Sequence, residues 1–214
     1  MTSLDPTLYF ARLTSGTIAL DVRRDRYLRL SAPIAEAVEQ ALSGQESAET
    51  RARLAGAGLL GVGASPVQFS RILPCRATHA ALSELGNDEP SLRVRIACVA
   101  ALARMRTLLR IAGFASALAR AQRAVNAPLQ HDLMRAIALA RAFEHARAWL
   151  PFERRCLPDG LALHALLARS GLRATLALGV RDKPFAAHCW VQAGDWLLTD
   201  TIDEVDELTP ILVI

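Results

Sequence analysis

The chain has 214 residues, of which 52% are apolar, 5% aromatic and 21% charged, with a formal net charge of +4. That length fits one domain or two small ones, and the apolar content, carried mostly by Ala and Leu, favours a helix-rich packed protein. The mild basicity, almost wholly Arg, demands neither nucleic acid nor an acidic surface as partner, and the four cysteines show no C-x-x-C pair or zinc-type Cys/His cluster.

In chain order, Thr7 to Leu13, Thr17 to Val22 and Arg26 to Leu30 read as three short strands joined by Thr14-Ser15-Gly16 and Arg23-Arg24-Asp25. Ser31 can cap a helix to about Leu42, ended by Gly44, and Ser47 a second to about Ala55, broken by Gly56 and Gly58. Gly61 to Pro66 is the candidate linker, which divides the chain into residues 1–62 and 67–214. Helical text follows over Arg76 to Leu85, Pro90 to Ala112, Phe114 to Val125 and Leu129 to Trp149. The most apolar tract, Ile96 to Leu118, is interrupted by Arg104, Arg106 and Arg110, so a helix pair is expected there and not a membrane span. Met1 to Pro6 lacks a basic region followed by an apolar one, so the expected setting is a reducing cytoplasm with free thiols.

From Cys156 the text carries chemistry. Leu163, Leu166 and Leu167 recur at helical spacing and Pro158 suits a first helical position, so a helix is expected from about Pro158 to Arg169, ended by Gly171. Cys156 then stands at the helix amino end, where unpaired N–H groups and the macrodipole favour the thiolate. Leu172 to Val180 alternates, and Phe185 to Gln192 and Trp196 to Thr201 read as strands around Ala193-Gly194-Asp195. A three-residue loop centred on Gly194 sets His188 directly opposite Asp200, with Cβ atoms ~5 Å apart. A two-residue loop opposes Thr201 instead. The first register gives a nucleophile, a base and a carboxylate that orients the base: Cys156, His188 and Asp200.

Other residues read as structural. Cys75, Cys98 and Cys189 suit buried small side chains, His79, His131 and His145 lack partners on predicted helices, and Trp190 and Trp196 suit packing under the hairpin. His164 is the rival base, but eight residues along a rigid helix hold it ~12 Å from Cys156. The backbone N–H of Cys156 is the candidate oxyanion donor.

The order Cys, His, Asp, with "CLPDGLALHALLARSGL", "LALGV" and "PFAAHCWVQ", resembles the B proteins of lasso-peptide biosynthesis, which have a transglutaminase-like (papain-like) cysteine peptidase fold. The resemblance assigns the family's triad to Cys156, His188 and Asp200. Gly160 stands where the family often has Ser, and Cys189 where it often has Ala. The N-terminal "TIALDVRRDRYLRLS" resembles the PqqD-like leader-recognition module of ribosomal peptide pathways, through Leu20-Asp21, Tyr27-Leu28 and Leu30-Ser31. In that family a leader peptide adds as a strand to the third strand, which implies a docking edge of Arg26, Tyr27, Leu28, Arg29 and Leu30. Arg23, Arg24, Arg26 and Arg29 would there meet acidic leader residues, or simply solvate the edge.

The expectation is therefore an α+β protein with a three-stranded, winged-helix-like N-terminal module and a helix-rich peptidase domain. It would bind the leader of a ribosomally made lasso precursor and hydrolyse the leader–core bond. The resemblance also implies an asparagine-synthetase-like cyclase as partner, through which cleavage would depend on ATP. No bound cofactor, metal, membrane or nucleic acid is expected. Two alternatives stand beside it: a transglutaminase-type acyl transferase, and a non-catalytic winged-helix DNA-binding or scaffold protein.

Overall fold

The computed structural model describes residues 2–4, 7–62, 74–82, 90–125, 129–151 and 153–214. The chain divides into two compact units. The first is residues 1–73 with 180–186 and 209–212, and the second is residues 74–179 with 187–208 and 213–214.

In the first unit, β1 (Thr2–Leu4), β2 (Leu8–Leu13), β3 (Gly16–Asp21) and β4 (Arg26–Arg29) precede α1 (Ala32–Leu42), α2 (Ala48–Gly56) and β5 (Leu60–Val62). β2, β3 and β4 form an antiparallel meander in sequence order, and β1 pairs with β5. The turn between β3 and β4 is held by Asp21, whose carboxylate accepts from the Arg24 N–H at 3.1 Å, with Asp25 at φ 50°. Ser47 caps α2 by accepting from the Thr50 N–H, whereas Ser31 makes no such bond and α1 carries Pro33 in its first turn. Leu8, Phe10 and Ala19 of the sheet bury against Ala37, Val38, Leu54 and Leu59. Each large side chain buried in that way contributes about 1.5–3 kcal/mol. Residues 63–66 of the expected linker lie outside the described residues, and residues 61–62 belong to β5.

The second unit begins with a correction. No helix forms at the start of the expected Arg76 to Leu85 segment: residues 74–78 are irregular and His79–Ala80 is a strand, β6, while residues 83–85 lie outside the described residues. Tertiary pairing overrides local propensity there. The Thr78 N–H donates to the Asp195 carbonyl and the Ala81 N–H to the Leu197 carbonyl, and His79 stacks on Trp196 with ring centroids 4.6 Å apart.

α3 (Leu92–Val125) bends at Gly113, whose φ of 77° interrupts the helical conformation. α4 (Leu133–Ala148) starts later than expected because Gln130 bridges to Leu172, and Asp132 caps it. α5 (Cys156–Arg169) packs on α3 and α4 through an almost wholly buried face that includes Leu161, Leu163 and Leu167.

β7 (Thr175–Arg181), β8 (Ala186–Ala193), β9 (Trp196–Leu197), α6 (Ile202–Asp206) and β10 (Thr209–Val213) complete the chain. The sheet order is β10-β7-β8-β9-β6, with β6 parallel to β9. Gly179 lets β7 approach Trp190: a Cβ there would lie 2.7 Å from the indole Cζ3. Trp190 is buried under the hairpin and donates its Nε1–H to Gln192 at 2.9 Å.

Candidate active site

Cys156 is the first residue of α5, two positions earlier than Pro158 was expected to start it, with Arg155 as cap. Its half-buried thiol therefore sits within the helix mouth, where backbone N–H groups point outward. His188 is the third residue of β8, and the His188 ring meets the thiol in a hydrogen bond. On its far side the Nε2–H donates to Asp200 Oδ1 at 2.7 Å. That bond commits Nε2, so Nδ1 is the nitrogen left for sulfur. The three predicted residues form one connected chain.

Asp200 reaches this position by a route the sequence argument did not have. The ladder pairs Ala193 with Trp196 and Gln192 with Leu197, so the hairpin loop is Gly194-Asp195, two residues long. In that register Thr201, not Asp200, would oppose His188. β9 ends at Leu197, however, and residues 198–200 bend away. Thr199 takes up the slack: its hydroxyl accepts from the Val191 N–H at 3.0 Å and donates to Asp200 Oδ2. The carboxylate is thereby tied to the same strand that carries the imidazole.

The electrostatics follow. Burial works to raise the Cys156 thiol pKa, but the His188 hydrogen bond and charge, with N–H groups of Cys189 and Leu157, outweigh it and hold the thiol below its ordinary range. Hydrogen bonds to Asp200 and then to Cys156 push His188 up to about 10. Both shifts favour a thiolate–imidazolium pair over the neutral one, and such a pair can act as a nucleophile beside an acid that protonates a leaving group.

Two arginines that the sequence analysis did not single out hold the chain on either side of Cys156. Arg147, almost wholly buried, donates from Nε to Asp159 Oδ2 at 2.9 Å and from Nη2 to the Glu153 carbonyl at 2.8 Å. Arg106 donates to the same carbonyl at 2.6 Å. Cys156 lies midway between the two anchored residues. Neither Thr199 nor these arginines had a signal in the sequence, since the first lies in strand text and the others in helical text.

The remaining candidates fall elsewhere. His164 is buried in α5 with its Nδ1 unpartnered, and burial lowers its pKa to about 4. Cys189 is buried with its thiol pKa pushed well up by burial. Cys98 is buried likewise, whereas Cys75 is exposed. Among the described residues no three His, Cys, Asp or Glu side chains gather as a metal set requires.

At the expected docking edge, β4 is one of the two outer strands of the meander. Leu28 and Leu30 pack against the core of the first unit, and the Leu30 N–H is taken by the Thr17 carbonyl. Tyr27 meets Phe185 edge-on at 5.7 Å, and Arg29 pairs with Asp182, both partners belonging to the first unit. Arg24 and Arg26 both pair with Asp21. Three of the arginines read as meeting a leader's acids thus have partners within the chain.

A family model described as the transglutaminase-like superfamily matches residues 97–213, more than half of the chain. The chain belongs to the transglutaminase-like superfamily. The part that matches the superfamily contains Cys156, His188 and Asp200 and both bracing arginines. Sixty residues, 28% of the chain, are 35% identical to the microcin J25-processing protein McjB of Escherichia coli and cover 29% of that protein. The chain thus matches under a third of that relative's length. No solved structure gives a significant match.

Proposed function

We propose that this protein is a cysteine peptidase that removes the leader from a ribosomally made lasso precursor. The observation that carries the reading is the chain of hydrogen bonds from Cys156 through His188 to Asp200. Superfamily membership and the short stretch of likeness to McjB support it. The Cys156 thiolate attacks the leader–core carbonyl, and His188 gives its proton to the leaving amine as the C–N bond breaks. His188 then takes a proton from the water that hydrolyses the thioester, and the departing sulfur restores the thiolate–imidazolium pair. Asp200 holds the ring and balances its charge throughout.

Residues 1–62 serve as the leader-recognition module, with the leader added along Arg26 to Leu30. Capture raises the local concentration of the scissile bond, so selectivity does not depend on the catalytic centre alone. The partners are the precursor and an asparagine-synthetase-like cyclase, through which ATP dependence would enter. Mass spectrometry of the precursor incubated with the protein, with and without that cyclase, tests the reading. Leader release is expected for the wild type, while Cys156→Ala and His188→Ala bind precursor but leave it intact. Cleavage by Cys156→Ala contradicts the mechanism.

Superfamily membership also favours a second reading, acyl transfer to an amine. The same spectra separate the two: hydrolysis adds water and yields two peptides, whereas transfer releases ammonia and joins the amine to the acyl group.

A further inference from the structure

α3 holds seven arginines and no acidic residue in its 34 positions, although the whole chain has a net charge of only +4. Along its first three turns Leu92, Ile96, Val99 and Ala103 recur at four, three and four residues, which places them in one stripe. The three large members are 71%, 59% and 37% exposed. Arg93 and Arg95 flank the stripe on opposite sides. Beside it Trp149, 74% exposed, lies under the Arg95 guanidinium, which is 5.2 Å from the ring centre. Further along the same helix an apolar groove of about 570 Å³ against α5 is edged by Arg104, Arg120 and Arg169, with no acidic residue in its lining.

A single exposed leucine is ordinary. A stripe spaced alternately by four and three residues, flanked by charges of one sign, is the surface a helix offers to another helix. The form of the stripe selects among occupants. A membrane-lying helix needs a broad uninterrupted apolar face, whereas here Arg93 and Arg95 stand within one turn of the stripe, one on each side. A second copy in symmetric contact would set arginine against arginine. Nucleic acid would leave the apolar stripe uncovered. A helix with apolar residues at the same repeat and carboxylates on both flanks satisfies the stripe and the arginines together.

We propose that Leu92, Ile96, Val99 and Ala103 dock an acidic amphipathic helix of a partner protein, with its Glu or Asp residues facing Arg93 and Arg95. The site goes beyond the peptidase reading and stands independently of it. An aromatic and an arginine at the edge are the residue types on which such interfaces concentrate their energy.

Fluorescence anisotropy with two labelled peptides of about four heptads tests this. Both carry Leu at the core positions; one carries Glu and the other Lys at the flanks. The full chain is expected to bind the Glu peptide at least about tenfold more tightly than the Lys peptide. Ile96→Glu should abolish that binding with the circular dichroism spectrum unchanged, and the double variant Arg93→Glu/Arg95→Glu should reverse the preference. Should Ile96→Glu fail to fold, the reversal at Arg93 and Arg95 still decides. Equal binding of the two peptides, or binding of neither, overturns the proposal. So does Ile96-dependent binding to phosphatidylserine vesicles without peptide binding, or a dimer in sedimentation that Ile96→Glu dissolves.

Discussion

Thr199 joins the carboxylate of Asp200 to the backbone of β8 and so decides whether the imidazole is held from behind. Its hydroxyl does this, not its bulk. Thr199→Val should therefore lower the leader-cleavage kcat about tenfold with KM little changed, and raise the pH at which the Cys156 thiolate appears. Thr199→Ser should restore both. Equal losses in the two variants would mean that shape, not the hydroxyl, matters. Gly160 and Cys189, the two departures from the lasso B-protein pattern, turn out to touch: a Cβ on Gly160 would lie 3.1 Å from the Cys189 sulfur. The strand's extra bulk fits where the helix lacks a side chain. Urea denaturation should show Gly160→Ser costing about 1–3 kcal/mol from overpacking. Adding Cys189→Ala should recover about 1 kcal/mol or more. The grouping of Cys156, His188 and Asp200 was readable because the thiol lies at a predicted helix start and the imidazole and carboxylate on the two arms of one predicted hairpin. Thr199 was not, because a threonine in a strand has no mark that distinguishes it.

At the scale of elements, the start of α5 depends on α4. Arg147 of α4 fixes Asp159 three residues after Cys156 and Glu153 three before it. Removing one partner of such a pair leaves a desolvated charge. Arg147→Met should therefore destabilise the fold by about 3 kcal/mol or more in urea titration, and the double variant Arg147→Met/Asp159→Asn should regain much of that. A cost of a few tenths would mean that the pair is solvated after all. Periodicity revealed α3 and α5, and Gly113 marked the break between the two helical texts correctly. It could not reveal β6, because the segment around His79 takes its conformation from β9, more than a hundred residues away. Nor could spacing alone give the hairpin register, since one residue more or less in the turn exchanges Asp200 for Thr201 and a bend then restores the contact.

For the molecule as a whole, pH acts on both stability and reactivity. His164 has a folded pKa of about 4, below its ordinary 6.5, so the unfolded chain takes up the proton first. Its contribution is full above pH 6.5 and is lost as pH falls towards 4, up to about 3 kcal/mol. His164→Gln keeps a donor for the Ala174 carbonyl without titrating, so it should flatten the acid limb of a Tm-against-pH curve. An unchanged limb would place the sensitivity elsewhere. The α+β composition could be read from the strand and helix text, and the superfamily through the resemblance carried by the text around Cys156 and His188. The internal pairing of Arg24, Arg26 and Arg29 could not, since Asp182 is distant in sequence and Asp21 reads as a turn residue. The account rests on an imidazolium that keeps one sulfur ionised. Its most direct measurement is the pH dependence of iodoacetamide alkylation at Cys156, read by peptide mapping in the wild type and in His188→Ala. The wild-type midpoint is expected below the ordinary thiol value of 9, and His188→Ala should shift it upward. A wild-type midpoint at 9, or one that His188→Ala leaves in place, would contradict the triad.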